Sequence, residues 1–310
     1  MLDFKAKNWL KKKFKDHVFI DEQMKKHTSF KIGGTADALI FPNNLNALKE
    51  ILEWIHGCNF QFFVIGGGTN ILVPDKGIRG VVISLSNCFN YINIDKKNNT
   101  YCHLSAGAGV KLKRLCSFAL HNGFDGMNFA LGIPGNLGGS IIMNAGTASG
   151  CIYDILESIE TIDLKGKIEN IKKQELNAVY RNIDLHKKLD KKIITNGYFK
   201  LKIGDKQKIR SNARKLIIER KKKQPVFEAS AGSFFKNPSD NISAGKLIED
   251  AGLKGKIFGG AKISHKHANF IINYNNAKAS DVISLMKITQ ENVFKLFNIH
   301  LEPEVKILEY

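Results

Sequence analysis

The chain has 310 residues, 43% of them hydrophobic and 25% charged; that length accommodates two or three compact units with cores of their own, and the composition is that of a soluble globular protein. The formal net charge is +18, yet only six of the 47 basic residues are arginine, the side chain that reads bases and phosphates bidentately. Lysine is spread along the chain without a nucleic-acid motif, so the charge reads as a solvated surface that steers small anionic ligands, and no apolar run approaches the roughly 18 residues of a membrane span.

The amino terminus, MLDFKAKNWLKKKFKDHVF, lacks the uninterrupted apolar stretch of a secretory signal. Its Leu2, Trp9, Leu10 and Phe14 form one face of a basic helix packed on the body, the alternative being membrane-surface binding. Residues 46–55, NALKEILEWI, place Leu48, Ile51, Leu52 and Ile55 at helical spacing, with Gly57 as the stop. FFVIGGGTNILV (62–73) and GVVISL (80–85) follow, two strand candidates separated by three consecutive glycines and a turn. YCHLSAGAGV (101–110) reads as a strand running into a loop, and the next segment as a helix ended by Gly123.

After the glycine-dense residues 123–146, SIETIDLKGKIENI predicts a hairpin around Lys165-Gly166, and KKIITNGYFKLKIG supplies further extended chain. A helix from about Lys206 to Lys223 ends before Pro225 and crosses a domain boundary. SAGKLIEDAG reads as a short helix with Ser243 as N-cap and Gly252 as stop. A longer amphipathic helix opens at Ser280 or Asp281, and LEPEVKIL closes the chain as a strand. This mixture of elements is α+β. Cys58, Cys88, Cys102, Cys116 and Cys151 form no C-x-x-C pair and no zinc spacing; they read as reduced core residues of a cytoplasm-like compartment.

The glycines of residues 66–68 invite two familiar readings, and both fail on context. A dinucleotide fingerprint needs a helix immediately after G-x-G-x-x-G, whereas Thr69-Asn70 leads into extended Ile71-Leu72-Val73-Pro74. A Walker loop needs G-K-[ST], and the first lysine is Lys76. A nest of amides for an anion, helped by side-chain donors of Thr69 and Asn70, and a plain tight turn both remain open. The segment GIPGNLGGSIIMNAG (132–146) is equally open between a structural loop and a backbone that a flat ligand approaches closely.

HTSFKIGGTAD (27–37), VIGGGTNILV (64–73), GIPGNLGGSIIMNAG (132–146), VYRNID (179–184), KQP (223–225), SAGSFFKNP (230–238), GGAKISHKHANFIIN (259–273) and LEPEVKI (301–307) together resemble, in order, the UDP-N-acetylenolpyruvoylglucosamine reductase family. The resemblance covers nearly all of the chain after about residue 20. It implies an α+β protein: a two-part FAD-binding region of the vanillyl-alcohol-oxidase type (residues 21–88 and 89–206), a C-terminal α+β substrate domain (207–300) and a terminal strand (301–310), behind a basic extension (1–20). It implies reduction of bound FAD by NADPH, then reduction of the enolpyruvyl ether of UDP-N-acetylglucosamine enolpyruvate to UDP-N-acetylmuramate, in the cytoplasm, as part of peptidoglycan synthesis, by a monomer. Ile65, Gly66, Gly67, Gly68, Thr69 and Asn70 would meet the FAD pyrophosphate. Gly132, Ile133, Pro134, Gly135, Gly138, Gly139, Asn144, Ala145 and Gly146 would line the flavin. Arg181, Ser233 and Glu304 fall on the catalytic positions, and Lys223 and Asn237 on further substrate-binding ones.

These residue types suit that chemistry. Hydride delivery to an enolpyruvyl β-carbon pushes negative charge onto the carboxylate, which an always-charged, planar Arg181 holds with two donors. A fixed Ser233 hydroxyl can protonate the strongly basic α-carbon, and its Ala-Gly-Ser-Phe-Phe setting is not the G-x-S-x-G elbow of a serine hydrolase. Glu304, protonated, would polarise the carboxylate; ionised, it would orient Arg181. Glu302 lies two residues away on the same expected strand. His265 and His267, two apart on an expected strand, lack an acidic or cysteine partner for a metal site and read as non-catalytic. Lys31 and Lys306 stand where the family commonly has arginine. The segment between Arg181 and Lys206 is too short for the family's inserted closing loop, so the chain resembles the shorter subclass. The competing readings are an FAD-dependent oxidase with another substrate and a basic nucleic-acid or membrane-binding protein.

Overall fold

A computed structural model describes residues 1–184 and 192–308. Residues 185–191, within the short segment after Arg181, and 309–310, the end of the expected terminal strand, lie outside the described residues. The chain forms two compact units, one of Met1–Ile20, Ala38–Gly67 and Gly80–Glu219, the other of Asp21–Asp37, Gly68–Arg79 and Arg220–Tyr310.

The first unit opens with the helix Phe4–Phe14, started by the Asp3 carboxylate accepting from the Ala6 amide at 2.7 Å. Leu2, Ala6, Leu10 and Phe14 are buried, and Trp9 stacks on Trp54 with ring centroids 4.8 Å apart. The basic amino terminus is thus a helix packed through Leu2, Ala6, Leu10 and Phe14, with Phe4 and Trp9 left partly or largely exposed. The helix Leu45–Gly57 starts under an Asn44 cap and buries Leu48, Ile51, Leu52 and Ile55, the four residues its spacing singled out. It connects Thr35–Ile40 to Phe62–Ile65 in a four-stranded sheet of order Val18–Gln23, Thr35–Ile40, Ile78–Ser84, Phe62–Ile65. The last two strands run parallel, Phe62 opposite Val81 and Ile65 opposite Ser84.

A second, six-stranded sheet has the order Ile168–Lys172, Leu156–Ile162, Ile193–Ile203, Tyr101–Gly107, Ile92–Lys97, with Phe124–Asp125 also paired to the central strand. The expected hairpin is present: Ile162 faces Ile168, and the Asp163 carboxylate accepts from the Lys165 and Lys167 amides, both at 2.9 Å. The helix Leu112–Asn122 ends at left-handed Gly123, as expected. Alternation along these strands buries Leu104, Ile159, Phe199 and Leu201 in the core.

In the second unit a sheet of Ile257–Phe258, Ala261–Ile263 and Ile271–Asn273 accompanies the helices Ala244–Asp250 and Ala279–Phe297. Phe30, Phe234, Phe235, Ile248, Ile263, Val282, Leu285 and Val305 share its core. Ser243 caps the shorter helix as expected. The longer helix begins at Ala279 because the Asp75 carboxylate, two hundred residues earlier in sequence, accepts from the Ala279 amide at 2.7 Å and the Ser280 amide at 3.0 Å. Asp281 instead accepts from the Lys278 and Gly260 amides, which hold its carboxyl below the usual carboxylate range.

Three expectations need correction. His265 and His267 lie in the turn between the strands Ala261–Ile263 and Ile271–Asn273, not on a strand. The terminal strand is shorter than LEPEVKIL, only Lys306–Ile307 pairing in parallel with Ile71–Leu72, because the Glu304 amide donates to the Phe234 carbonyl and its carbonyl accepts from the Asn70 side chain in place of the ladder. The cysteines are all free; Cys102 and Cys116 are buried, Cys88 and Cys151 half-buried and Cys58 exposed, so the core reading fails for Cys58 alone. Burial pushes the Cys88 and Cys116 thiols up to about 12, leaving them unreactive.

Candidate active site

In the first unit, the end of the Phe62–Ile65 strand meets the second glycine segment. A β-carbon added at Gly66 would lie 3.2 Å from Asn136 Cβ, at the start of the short helix Leu137–Ile142. The buried Asn136 side chain donates to the Gly109 carbonyl at 2.8 Å, and the Leu137 and Gly138 amides donate to Val110 and Ala108 at 2.8 and 2.9 Å. The loop after the strand Tyr101–Gly107 therefore braces the helix start. The amides of Gly66, Gly67 and Gly139 donate to no group among the described residues, and space beside Gly139 is open. Unspent amides where a strand end meets a helix start fit an anionic group, and the open space beside Gly139 fits a flat-bodied one, so the residues present suit the pyrophosphate and ring of FAD.

Farther along the segment, Asn144 is buried in a left-handed conformation (φ 40°). Its Oδ1 accepts from the Tyr153 amide at 3.1 Å, and its Nδ2 donates to the Val179 carbonyl at 3.3 Å. That last bond ties the glycine segment to a hairpin of Asn177–Val179 and Asn182–Asp184, whose two-residue turn is Tyr180-Arg181. Arg181 takes φ 59° at the turn and stacks its guanidinium over the Tyr180 ring at 4.9 Å. Gly132 to Gly139, Asn144 and Arg181 thus belong to one braced assembly within this unit.

The second unit brings Ser233 and Glu304 together. The Glu304 amide donates to the Phe234 carbonyl at 2.8 Å, Phe235 bridges Pro303, and the Lys236 amide donates to the Glu302 carbonyl at 2.8 Å. Residues 234–236 and 302–304 are therefore zipped side by side. Behind them the buried Asn269 side chain accepts from the Phe235 amide at 2.9 Å and donates to the Phe235 carbonyl at 2.8 Å, gripping that residue at both ends. Ser233 follows left-handed Gly232 (φ 83°), and its hydroxyl makes no hydrogen bond among the described residues. Glu302 points away into an exposed ion pair with Lys236 at 2.6 Å, so of the two glutamates Glu304 is the one held by the Phe234 backbone.

The remaining candidates are more loosely placed. Gly68, at φ 61°, accepts from the Ser29 amide at its carbonyl, and a β-carbon there would overlap the His27 carbonyl oxygen. Asn70 donates its side-chain amide to the Glu304 carbonyl at 3.1 Å. Asn237 is exposed and accepts from the Ala244 amide at 3.1 Å, leaving its own NH2 for a ligand. Lys223 ends the helix Lys206–Lys223 in solvent. The His267 imidazole is pushed down by burial and by the Lys254 charge; it accepts from the Asn269 amide and packs edge-on against Phe270 at 4.9 Å. Among the described residues no group of His, Cys, Asp and Glu is arranged to hold a metal, and no helix is long and apolar enough to cross a membrane. Asn136 and Asn269 were missed in the sequence; the only signal for either is an asparagine inside an otherwise apolar or glycine-rich run.

Residues 36–172 match the FAD binding domain family, which marks the α+β framework as that of a flavin-binding oxidoreductase. Residues 224–308 match the UDP-N-acetylenolpyruvoylglucosamine reductase, C-terminal domain, family. The chain is 39% identical over 311 residues to the UDP-N-acetylenolpyruvoylglucosamine reductase of Desulfosudis oleivorans, covering 99% of both. It is 42% identical to that of Caldanaerobacter subterraneus, covering 94% of this chain and 93% of that one. The crystal structure of the enzyme of that name from Thermus caldophilus matches with a TM-score of 0.79 and 31% identity, over 94% of this chain and 98% of that one. The chain belongs to the UDP-N-acetylenolpyruvoylglucosamine reductase family and is an FAD-dependent oxidoreductase.

Proposed function

We propose that this protein reduces the enolpyruvyl ether of UDP-N-acetylglucosamine enolpyruvate to the lactyl ether of UDP-N-acetylmuramate, with NADPH as reductant, in the cytoplasm. The observation that supports the reading is the Glu304–Phe234 backbone hydrogen bond, which ties the Glu304 backbone to the residue that follows Ser233, whose hydroxyl makes no hydrogen bond among the described residues. When bound, FAD supplies the hydride. The loop from Ile65 and the segments Gly132–Gly135, Gly138–Gly139 and Asn144–Gly146 hold it, the uncommitted amides of Gly66, Gly67 and Gly139 taking its charged and polar edges.

The chain's own work is to manage charge and a proton on the substrate. As negative charge builds on the enolpyruvyl carboxylate, Arg181 holds it with two parallel donors, and Glu304 polarises or orients the same group. The Ser233 Oγ–H gives its proton to the substrate α-carbon, which is basic enough to take it from a neutral hydroxyl. Lys223 and Asn237 bind the remote, phosphate-bearing part of the substrate, and the lysine-rich surface raises the encounter rate of that anion. The test is product analysis: with NADPH and the UDP-enolpyruvyl sugar, the product should carry two more hydrogens than the substrate, one of them from solvent. NADPH consumption without that product would overturn the reading.

A further inference from the structure

The asparagine that closes the glycine loop is committed elsewhere. The strands Ile71–Leu72 and Lys306–Ile307 run in parallel with Ile71 opposite Lys306, the Lys306 amide donating to the Asn70 carbonyl at 3.0 Å and the Leu308 amide to the Leu72 carbonyl at 3.1 Å. Continued one step toward the amino terminus, a regular parallel ladder would have the backbone amide of Asn70 donate to the carbonyl of Glu304. The side-chain Nδ2 of Asn70 makes that bond instead, at 3.1 Å. On the other side of the same residue, the Glu304 amide donates to the Phe234 carbonyl at 2.8 Å. Both peptide groups flanking the Glu304 α-carbon are therefore held, one by Phe234 and one by Asn70, and the next residue, Val305, is anchored in the core. Fixing both peptide planes fixes the direction in which the Glu304 side chain leaves the backbone.

We propose that the Asn70 side chain is a positioning group for Glu304, acting through the Glu304 carbonyl, and not a side-chain ligand of the FAD pyrophosphate. Asparagine suits the place because it is short and carries an NH2 donor that imitates a backbone amide. The loop therefore divides its labour: the glycines before it face the cofactor, and Asn70 faces the catalytic strand. The proposal rests on the reading that Glu304 acts on the substrate, and its test separates the two.

The FAD-loaded protein and its Asn70→Asp, Asn70→Ala, Glu304→Gln and doubly substituted forms are compared in three measurements. These are FAD affinity by titration of the apoprotein, flavin reduction by NADPH, and flavin reoxidation by the UDP-enolpyruvyl sugar, the last two by stopped flow without oxygen. Asn70→Ala removes the donor without the negative charge that Asn70→Asp would bring beside Glu304. It should slow reoxidation about tenfold or more, because small misplacements of a reacting group cost that much. FAD affinity and flavin reduction should stay within about threefold, and in the Glu304→Gln background the same change should add less than about twofold, because the two act as one unit. Weakened FAD binding with normal reoxidation would overturn the proposal, as would an effect that multiplies fully with Glu304→Gln. Loss of the cooperative unfolding transition in both Asn70 variants would make the residue a general support and overturn it too. Normal reoxidation in Glu304→Gln alone would instead remove the role of Glu304 and, with it, anything for Asn70 to position.

Discussion

The glycine segment of residues 132–146 and the zipped strips around Phe234 solve opposite problems. The first offers backbone: Gly139 leaves its amide unspent and the space beside it open, while Asn136 and Asn144 keep the frame rigid from behind. The second offers side chains: Asn269, Asn70 and paired peptides consume the local backbone so that Ser233 and Glu304 project from a fixed edge. A cofactor is held by many weak, shape-matched donors, whereas a proton transfer needs one hydroxyl in one place. Asparagine serves as the brace in both regions because a single amide side chain satisfies one donor and one acceptor of a neighbouring backbone.

Substitutions in the two regions should therefore fail differently. Ser233→Ala should give the largest effect, slowing substrate-driven flavin reoxidation about 100- to 10,000-fold while leaving FAD affinity and reduction by NADPH unchanged, as rapid-mixing measurements of each half-reaction will read. Gly139→Val should weaken FAD binding by tenfold or more with little change in the apoprotein's unfolding midpoint, because the added side chain meets only open space. Gly68→Ala should do the reverse of Gly139→Val in the stability measurement, costing about 2 kcal/mol or more in denaturant unfolding, since it combines a left-handed backbone with overlap on a carbonyl. Asp75→Ala removes two amide acceptors from the start of the helix Ala279–Phe297 and should cost about 1–2 kcal/mol without touching FAD affinity.

The smallest effect is one of pH. Burial and the nearby Lys254 push His267 below the ordinary imidazole value in the folded protein, whereas in the unfolded chain it takes up a proton near 6.5. The unfolded state binds more protons there, so stability should fall as pH drops through 6.5 and level out below the folded value. His267→Gln should flatten that slope in urea titrations at successive pH values, leaving the half-reactions intact.

Local periodicity made much of the scaffold legible. The helix Leu45–Gly57, the left-handed stop at Gly123 and the turn at Lys165-Gly166 each follow from a pattern within a dozen residues. The opening of the helix Ala279–Phe297 does not, because its cap, Asp75, lies in a distant segment. The same limit applies to the site. Ser233 and Glu304 are legible as motif positions, but their meeting at Phe234, and the part of Asn70 in it, depend on pairing between segments far apart in sequence. His265 and His267 misled for a complementary reason: residues two apart share a face only on a strand, and the chain turns there.

The reduced flavin of this protein should be emptied by an enolpyruvyl UDP-sugar. The direct measurement is anaerobic: bleach the FAD-loaded protein with one equivalent of NADPH, add UDP-N-acetylglucosamine enolpyruvate, and follow the flavin absorbance. Full return of the yellow colour, one flavin per sugar consumed, is the predicted result; a flavin that stays bleached until oxygen is admitted would contradict it.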